Sequence, residues 1–334
     1  PDNHVVVALG PAVNTKVWGS SRYGLFTRSP LTGIYAESYS GGTVAEFMGA
    51  AGYDAFVLRG KASSPTVPEV TDQGVVFHDA RDIWGKNVYE SQDAVQDMIG
   101  DKAGVIVIGP AGENKVRFAL VANNYWRCAG RAGVGAVLGA KNIKGMAFRG
   151  SAEKEIAEPS ILQELYSQVN AGRKENPVIQ GFKTFGTPAL VAVINKIGAF
   201  PTRYWSKGSL DGWENLTAEA LHKQCDVRPH ACAKCLMACG RLAEVKKGRH
   251  KGLKIEGPEF ETIYAFGGLC EITEIEEIIY LNDICDRLGI DTITGGNLAA
   301  FTIEASRRGK IKENYDYGNV DQIASLLHDI TYSQ

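Results

Sequence analysis

The pattern of hydrophobic and polar positions divides the chain into two parts. Up to about residue 150, short runs of β-type residues alternate with glycine turns, which is typical of strands. The predicted strands are 5–9, 55–59, 105–108, 116–121 and 145–149, and the predicted helices between them are 44–51 and 89–99. The first half is therefore predicted to be rich in β-structure.

Beyond residue 150 the hydrophobic spacing changes. The sequence becomes rich in Glu and Lys, and apolar residues then recur with a period near 3.6, which favours helices. We therefore predict an α+β fold, with a β-rich amino-terminal domain over residues 1–152 and a mainly α-helical domain over residues 153–334.

One helix in the second half has clear start and stop signals. Thr273 and Glu276 form a capping-box pattern, and Gly289 ends the helix. Its apolar face contains Ile275, Ile278, Ile279 and Leu288. Asp286 falls in the last turn, where a carboxylate is disfavoured by roughly 0.3–1 kcal/mol, so we expect it to have a donor partner.

Composition narrows the class of protein. The chain has 334 residues, 44% of them hydrophobic and 22% charged, and a net charge of −2, which gives no indication of nucleic-acid binding. It contains no run of about 18 apolar residues, so no membrane span is predicted. Three of the seven cysteines are clustered, which suits thiolate ligands in a reducing compartment, and we expect the cytoplasm.

The two ends indicate a piece of a longer polypeptide. The chain does not begin with Met and reaches a strand pattern almost at once, and its last apolar-periodic stretch has no Gly or Pro terminator. We therefore expect further sequence on both sides.

The cysteine cluster carries the strongest chemical signal. Cys232, Cys235 and Cys239 have C-x2-C-x3-C spacing, which suits an iron–sulfur cluster and, less well, zinc; coincidental core thiols are the remaining alternative. Both metal sites normally take four ligands. The fourth ligand is expected beyond Gln334, and candidates within the chain are Cys225, Cys270 and Cys285.

Other segments have compositions that suit cofactor binding. The Asp286–Thr292 segment offers two carboxylates that can accept the paired N–H donors of a pterin or guanine, although a solvated helix end followed by a turn gives the same pattern. Ser40-Gly41-Gly42 opens a helix at Thr43, and the segment 127–135 combines two arginines with glycines, so both suit phosphate. A member of the acidic segment 256–261 could accept a proton, and the basic loop 245–254 could steer an acidic electron carrier.

The order of these motifs resembles the aldehyde ferredoxin oxidoreductase family over nearly the whole chain. The motifs are R-Y at 22–23, S-P-L-T-G at 29–33, S-G-G at 40–42, A-G-Y-D-A at 51–55, I-G-P-A-G-E-N at 108–114, the segment 127–139, the cysteine motif, G-P-E at 257–259 and D-x-x-G-I-D-T at 286–292. Members of that family are substantially longer, so the resemblance implies that the carboxyl-terminal domain lies outside this chain.

The resemblance implies a tungsten or molybdenum bis-pterin on the β-rich domain, a [4Fe-4S] cluster and a magnesium ion between the pterin phosphates. It makes Cys232, Cys235 and Cys239 cluster ligands and Glu261 the active-site glutamate. The implied cofactor-binding positions are Arg22, Tyr39, Gly41, Gly42, Arg127, Cys128, Ala129, Gly130, Asp286, Gly289, Ile290, Asp291 and Thr292. Among them, Arg22 would lie between pterin and cluster, Arg127 would contact phosphate, and the carbonyls of Tyr39 and Cys128 would hold magnesium.

The implied function is oxidation of an aldehyde to a carboxylate, with electrons passing through the cluster to ferredoxin or an iron–sulfur subunit. Cys270 could instead ligate tungsten, as in the benzoyl-coenzyme A reductase branch, which reduces an aromatic ring of an acyl-coenzyme A substrate. Tyr280 and Asp283 replace the E-x-x-H pair of members that dimerise through a metal, so that dimer is not expected. A non-enzymatic zinc or iron–sulfur module is the distant alternative.

Overall fold

The computed structural model describes residues 2–15 and 17–332. Thirteen strands in this part of the chain form three sheets. The strands are β1 Val5–Leu9, β2 Tyr23–Arg28, β3 Tyr35–Ser40, β4 Ala55–Leu58, β5 Thr66–Thr71, β6 Gly74–Asp79, β7 Gly104–Val107, β8 Val121–Asn123, β9 Arg127–Ala129, β10 Gly145–Phe148, β11 Cys225–His230, β12 Gly240–Val245 and β13 Lys254–Glu256.

The α-helices of the described residues are α1 Val44–Ala50, α2 Val88–Ile99, α3 Pro110–Glu113, α4 Val134–Ala140, α5 Pro159–Gly172, α6 Pro177–Phe185, α7 Leu190–Lys196, α8 Ala218–Gln224, α9 Phe260–Thr262, α10 Ile275–Leu288, α11 Thr292–Arg307 and α12 Val320–Tyr332. A π-helix, Ile263–Gly268, follows α9. Short 3-10 helices occupy Arg81–Ile83, Thr187–Ala189 and Trp213–Leu216. The predicted α+β fold is confirmed.

Two sheets build the first half of the molecule. The antiparallel sheet has the order β3-β2-β1-β4. Its strand β1 buries Val5 and Val7, while Val6 points to the opposite face. The larger sheet has the order β6-β5-β10-β7-β8-β9 and is antiparallel except for the β5–β10 pair. Its strands β7 and β10 are buried along their whole length, which accounts for their continuous apolar runs.

The helical half contacts the β-rich half through backbone hydrogen bonds and through a shared hydrophobic core. Ile290, just after α10, forms an antiparallel bridge with Ala119, and the Leu120 amide donates to the Gly289 carbonyl at 2.9 Å. One hydrophobic core contains Phe118 and Ala119 together with the buried face of α10. The segment after α10 is therefore held in a fixed position relative to the first half.

The sequence-based predictions fail in identifiable places. The predicted strand 116–121 is wrong, because residues before Val121 turn toward the end of α10 and only Val121–Asn123 joins the sheet. The predicted capping box is also wrong: in the described structure the N-cap is Glu274, and its side chain makes no capping hydrogen bond. The three-stranded sheet β11-β12-β13 was not predicted within the helical half.

The predicted division at residues 152/153 falls between β10 and α5 and stays a prediction. The two predicted domains also include residues 1, 16, 333 and 334, which lie outside the described part of the chain. Within that part, no single helix has the length and apolar character needed to cross a membrane, and Pro177–Phe185 with Thr187–Lys196 qualifies only as a pair bent by 101°.

Candidate functional site

The three predicted cluster ligands lie in one loop. Strands β11 and β12 pair antiparallel, and the last pair, His230 with Gly240, closes the loop that contains Cys232, Cys235 and Cys239. The Cys235 amide donates to the Cys232 carbonyl at 3.1 Å, so the loop begins with a tight turn. Each thiol is free and partly exposed. Burial raises the pKa of Cys239, and the negative charge of Glu259 adds to this shift.

Two charged side chains stabilise this loop, one next to its last cysteine and one between its first two. Arg241 is buried, and its guanidinium donates to the carbonyls of Ala238 at 2.9 Å and Gly240 at 2.6 Å. At the other side, Lys234 forms an ion pair with Glu46 of α1 at 2.9 Å. These contacts give the loop a defined shape, as ligand preorganisation requires.

The predicted glycine pair of the first half contacts the cysteine loop directly. A Cβ added to Gly41 would overlap the Sγ of Cys232. The Gly42 carbonyl accepts from the Ala233 amide at 3.1 Å and from the Ser21 hydroxyl at 2.8 Å. The tertiary structure thus joins two motifs that are about 190 residues apart in the chain.

Gly42 has a left-handed backbone, φ +95°, and a side chain there would collide with Asn123 and Asn124. Asn124 accepts from the Thr43 amide at 2.9 Å and so supports the start of α1. Asn123 is fully buried and donates to the Tyr23 hydroxyl at 2.9 Å. Among the described residues, the Asn123 Oδ1 has no hydrogen-bond partner. Sequence reasoning missed both asparagines, because nothing in their spacing marks them.

The predicted phosphate segment forms β9 and the turn after it. Arg127 exposes 14% of its side chain and pairs with the buried Glu256. Within the described residues, its Nε is buried without a hydrogen-bond partner, so one donor remains for an anion. Ala129 is fully buried. Gly130 has open space beside its α-carbon, with none of the described atoms within 4 Å of an added Cβ.

Arg22 and Tyr39 line one cavity of about 400 Å³ on the first sheet. Gly24 lies between them on β2, where a side chain would contact the Tyr39 ring. Strand β3, which carries Tyr39, also packs against β9, which carries Cys128. The two residues predicted to offer magnesium-binding carbonyls therefore belong to neighbouring strands.

Asp286 is buried in the last turn of α10. Its Oδ2 accepts from Asn282 of the same helix at 2.7 Å, and the expected donation from a bound ligand stays a prediction. Burial raises the pKa of Asp286 well above its usual range, and the charge of Asp283 adds to this shift. Burial also raises the pKa of Cys128, and the negative charge of Asp286 is the second-largest cause of that shift. The predicted cofactor segments that contain Cys128 and Asp286 are therefore close enough to interact electrostatically.

Gly289 ends α10 in a left-handed conformation, φ +79°, and its amide donates to the Cys285 carbonyl at 2.8 Å. Its α-carbon lies against Gly109, and an added Cβ would come within 2.9 Å of the Gly109 nitrogen. Ile290 continues into the bridge with Ala119. Gly289 and Ile290 thus fix the position of the carboxylates on either side of them.

Asp291 already has several partners. It is the N-cap of α11 and accepts from the Thr294 amide at 3.3 Å and from Arg131 at 2.6 Å. Thr292 shares a 2.8 Å hydrogen bond with Thr262. Since the Asp291 oxygens are largely used, Asp286 has the greater capacity to accept from a ligand.

Glu261 is exposed in α9, directly before the π-helix. Tyr264 in that π-helix interacts electrostatically with Glu261, Arg131 and Asp291, while burial is the main cause of its raised pKa. The nearby Glu259 is less exposed and accepts from the Thr187 hydroxyl. Burial raises the pKa of Glu259 as well. Glu261 is therefore the more accessible acid beside the segment that contains Asp291.

The remaining cysteines lie in the hydrophobic core. Cys225 pairs with Val245 at the far end of the β11–β12 ladder, about 17 Å from the cysteine loop, which rules it out as the fourth cluster ligand. Cys270 is buried, and its Sγ lies 3.4 Å from the Gly296 carbonyl; burial raises its pKa. Cys285 is buried in α10. The structure does not bring Cys270 or Cys285 to the cysteine loop through any contact among the described residues.

Tyr280 and Asp283, which stand in the dimer-motif positions, both have partners within the fold. Tyr280 stacks on His250, with ring centroids 4.4 Å apart. Asp283 accepts from the Tyr89 hydroxyl at 3.1 Å and from Arg287 at 2.7 Å. The expected absence of the metal-bridged dimer stays a prediction.

These side chains suit the implied cofactors. Three thiols in one loop match the sulfur donors of an iron–sulfur cluster, and the unpaired Nε of Arg127 and the carboxyl of Asp286 match a phosphate and a pterin ring. Across residues 2–15 and 17–332, no group of three or more His, Cys, Asp or Glu side chains is arranged to hold a single metal ion.

The comparisons with known proteins define the class. Residues 1–150 match the family description "Aldehyde ferredoxin oxidoreductase, N-terminal domain", and residues 164–334 match "Aldehyde ferredoxin oxidoreductase, domains 2 & 3". The chain belongs to the aldehyde ferredoxin oxidoreductase family.

Among individual relatives, the tungsten-containing aldehyde ferredoxin oxidoreductase of Pyrococcus abyssi is 36% identical over 341 residues, which cover 99% of this chain and 56% of the relative. The aliphatic sulfonate oxidoreductase, WOR-like subunit, of Pyrococcus furiosus is 28% identical over 98% of this chain and 55% of the relative. This chain thus spans little more than half the length of these relatives. The fold is similar to a chain of the BamBC active-site complex of benzoyl-coenzyme A reductase, with a TM-score of 0.83 and 23% identity over 98% of this chain and 52% of the other.

Proposed function

We propose that this chain is the cofactor-binding part of a tungsten or molybdenum bis-pterin oxidoreductase. The reaction converts an aldehyde and water into a carboxylate and releases two electrons and three protons. The contact of Gly41 with the Sγ of Cys232 carries the proposal, because it joins the segment expected at the pterin to the loop expected at the cluster. The names of the relatives, tungsten-containing aldehyde ferredoxin oxidoreductases, support the choice of metal and substrate.

When bound, the bis-pterin metal would supply two-electron oxo-transfer chemistry and a [4Fe-4S] cluster would pass the electrons on singly. Cys232, Cys235 and Cys239 would hold the cluster with a fourth ligand from another segment. Arg127 would bind phosphate through its unpaired Nε, and Arg22 would lie in the cavity beside the pterin. These roles would position charge around the cofactors.

Two carboxylates and two backbone carbonyls would complete the cofactor site. Asp286 would accept N–H donors from one ring, with Asp291 fixing the same segment through its cap and its pair with Arg131. The carbonyls of Tyr39 and Cys128 would bind magnesium between the phosphates, as their neighbouring strands permit.

Glu261 would take the proton released as water adds to the aldehyde carbon. Its exposure and its position before the π-helix support this role, since π-helical turns frequently occur at functional sites. The electrons would leave to ferredoxin or to an iron–sulfur subunit, as the relatives' name suggests, and we propose a cytoplasmic location.

The ring-reducing alternative has less support. Its support is the similarity in fold to the benzoyl-coenzyme A reductase chain. It would also require Cys270 to be a tungsten ligand. In this structure the Cys270 thiol packs against the carbonyls of Ala265 and Gly296. That environment favours a structural thiol.

Metal analysis by mass spectrometry on the protein purified without oxygen tests the proposal. We expect about one tungsten or molybdenum and about four iron atoms per chain, together with reduction of ferredoxin on addition of aldehyde. Zinc alone would overturn the proposal in favour of a zinc module. Iron without tungsten or molybdenum would leave an electron-transfer protein and remove the oxidation chemistry.

A further inference from the structure

Glu256 is a buried carboxylate with a cationic or polar partner on each oxygen. It ends β13, and its side chain is 4% exposed. Oε1 contacts the Arg127 guanidinium, and Oε2 lies 3.0 Å from the His230 Nδ1. Both contacts are within ion-pair distance but lack hydrogen-bond alignment, and within the described residues neither oxygen has another partner. A charge buried this deeply is tolerated only when it is paired.

The two partners belong to different sites. Arg127 begins β9 in the predicted phosphate segment, whereas His230 ends β11 two residues before Cys232. The Arg127 guanidinium also donates to the His230 carbonyl at 3.3 Å. One carboxylate therefore connects the phosphate segment with the strand that enters the cysteine loop.

Gly240 brings the other end of the cysteine loop to the same carboxylate. It directly follows Cys239 and pairs with His230 in the β11–β12 ladder. A Cβ on Gly240 would overlap the Glu256 Oε1 and come within 2.9 Å of the Arg127 guanidinium. Glu256 thus lies against both ends of the loop, and glycine is required for that approach.

This arrangement has two electrostatic consequences. A carboxylate on one side of a guanidinium fixes its plane and leaves the remaining N–H groups for another anion, which matches the unpaired Nε of Arg127. A buried negative charge beside a redox centre also disfavours the more negative, reduced state, because charges interact strongly in a low dielectric.

We infer that Glu256 is a positioning residue shared by the two cofactor sites: it orients Arg127 toward the phosphate and fixes both ends of the cysteine loop. The inference rests on the proposed function, because it assumes that both cofactors are bound. It assigns a role to the acidic segment 256–261 in addition to that of Glu261.

The test compares Glu256→Gln with Glu244→Gln, an exposed acid on strand β12 of the same sheet. A redox titration of the cluster, followed by electron paramagnetic resonance, measures the electrostatic effect. We expect Glu256→Gln to shift the one-electron reduction equilibrium toward the reduced cluster by about tenfold, or about 59 mV. Tungsten retained per iron should fall in the same variant, and both quantities should be unchanged in Glu244→Gln.

A purely structural role would lower tungsten and iron together and leave the potential of the remaining cluster unchanged, and that result would overturn the inference. If Glu256→Gln does not fold, His230→Leu replaces a side chain that is 39% exposed with one that cannot donate to the carboxylate. It should lower the cluster potential, because the carboxylate loses one partner, while tungsten retention holds; an unchanged potential would overturn the inference. Absence of tungsten and iron from the unsubstituted protein would instead overturn the proposed function.

Discussion

The α-carbon of Gly41 lies against the sulfur of Cys232, with no room for a side chain between them. Gly41 follows β3, an edge strand of the first sheet, and Cys232 lies in a loop of the helical half. The adjacent Gly42 carbonyl accepts from the Ala233 amide, so the backbone on both sides of the contact is fixed. The two halves of the chain therefore form the proposed site together.

Substitution of Gly41 by alanine should displace the Cys232 thiol. We expect Gly41→Ala to lose most of its cluster iron, because the added methyl group overlaps the sulfur and overpacking of this kind costs about 1–3 kcal/mol. Iron analysis after anaerobic purification measures the loss. Gly181→Ala is the matched control, since among the described atoms nothing lies within 4 Å of a Cβ added there. Equal iron in both variants would contradict the close contact.

Asp286 should make the apoprotein less stable as pH rises. Its raised pKa means that the folded state holds the proton to higher pH than the unfolded chain, so stability falls from about pH 4 upward through the folded pKa. Asp286→Asn removes this loss, and the variant apoprotein should denature at a higher temperature than the unsubstituted apoprotein at pH 7. The difference should vanish below about pH 4.

The same substitution should lower tungsten content in the loaded protein, because an amide cannot replace a carboxylate that accepts paired N–H donors. Asp329→Asn, at an exposed position of α12, serves as the control for both measurements. A variant apoprotein that is less stable at pH 7 would mean that Asp286 is stabilising when ionised.

The buried pair of Lys144 and Glu113 should contribute strongly to stability. Their side chains are 0% and 4% exposed, and burial lowers the pKa of Lys144 while it raises that of Glu113. Glu113→Gln leaves the ammonium group without its counter-ion and should cost about 3–5 kcal/mol of unfolding free energy. Asp316→Asn, in the exposed pair with Arg307, should cost at most about 1 kcal/mol. Denaturant titration of both variants at pH 7 compares them, and similar losses would argue against the burial of the pair.

Glu261→Gln should remove most aldehyde oxidation while both cofactors stay bound. Because the side chain is exposed and changes only from acid to amide, the fold and the metal content should be unaffected, and a lost general base typically lowers turnover by about 10²–10⁴-fold. Turnover with ferredoxin and metal content measured on the same preparation separate the two effects. Activity equal to that of Glu313→Gln, which changes an exposed acid in the loop between α11 and α12, would remove Glu261 from the mechanism.

Local pattern was sufficient for several elements. Strand β1 and helices α1 and α2 formed where the hydrophobic period predicted them, because each buries one regular face within a few residues. The end of α10 at Gly289 was also predictable, since a left-handed C-cap favours glycine whatever surrounds it. The segment 116–121 failed because its backbone pairs with Ile290, a partner far away in the sequence.

The sequence by itself determined the α+β class, the C-x2-C-x3-C ligand spacing and the family to which the motifs belong, because these depend on neighbouring residues and their order. Only the tertiary structure decided which distant groups meet. It placed Gly41 on Cys232, set Cys225 apart from the loop and put Glu256 between Arg127 and the ends of the cysteine loop. Such contacts depend on strand pairing and packing over long separations, for which local hydrophobic periodicity carries no information.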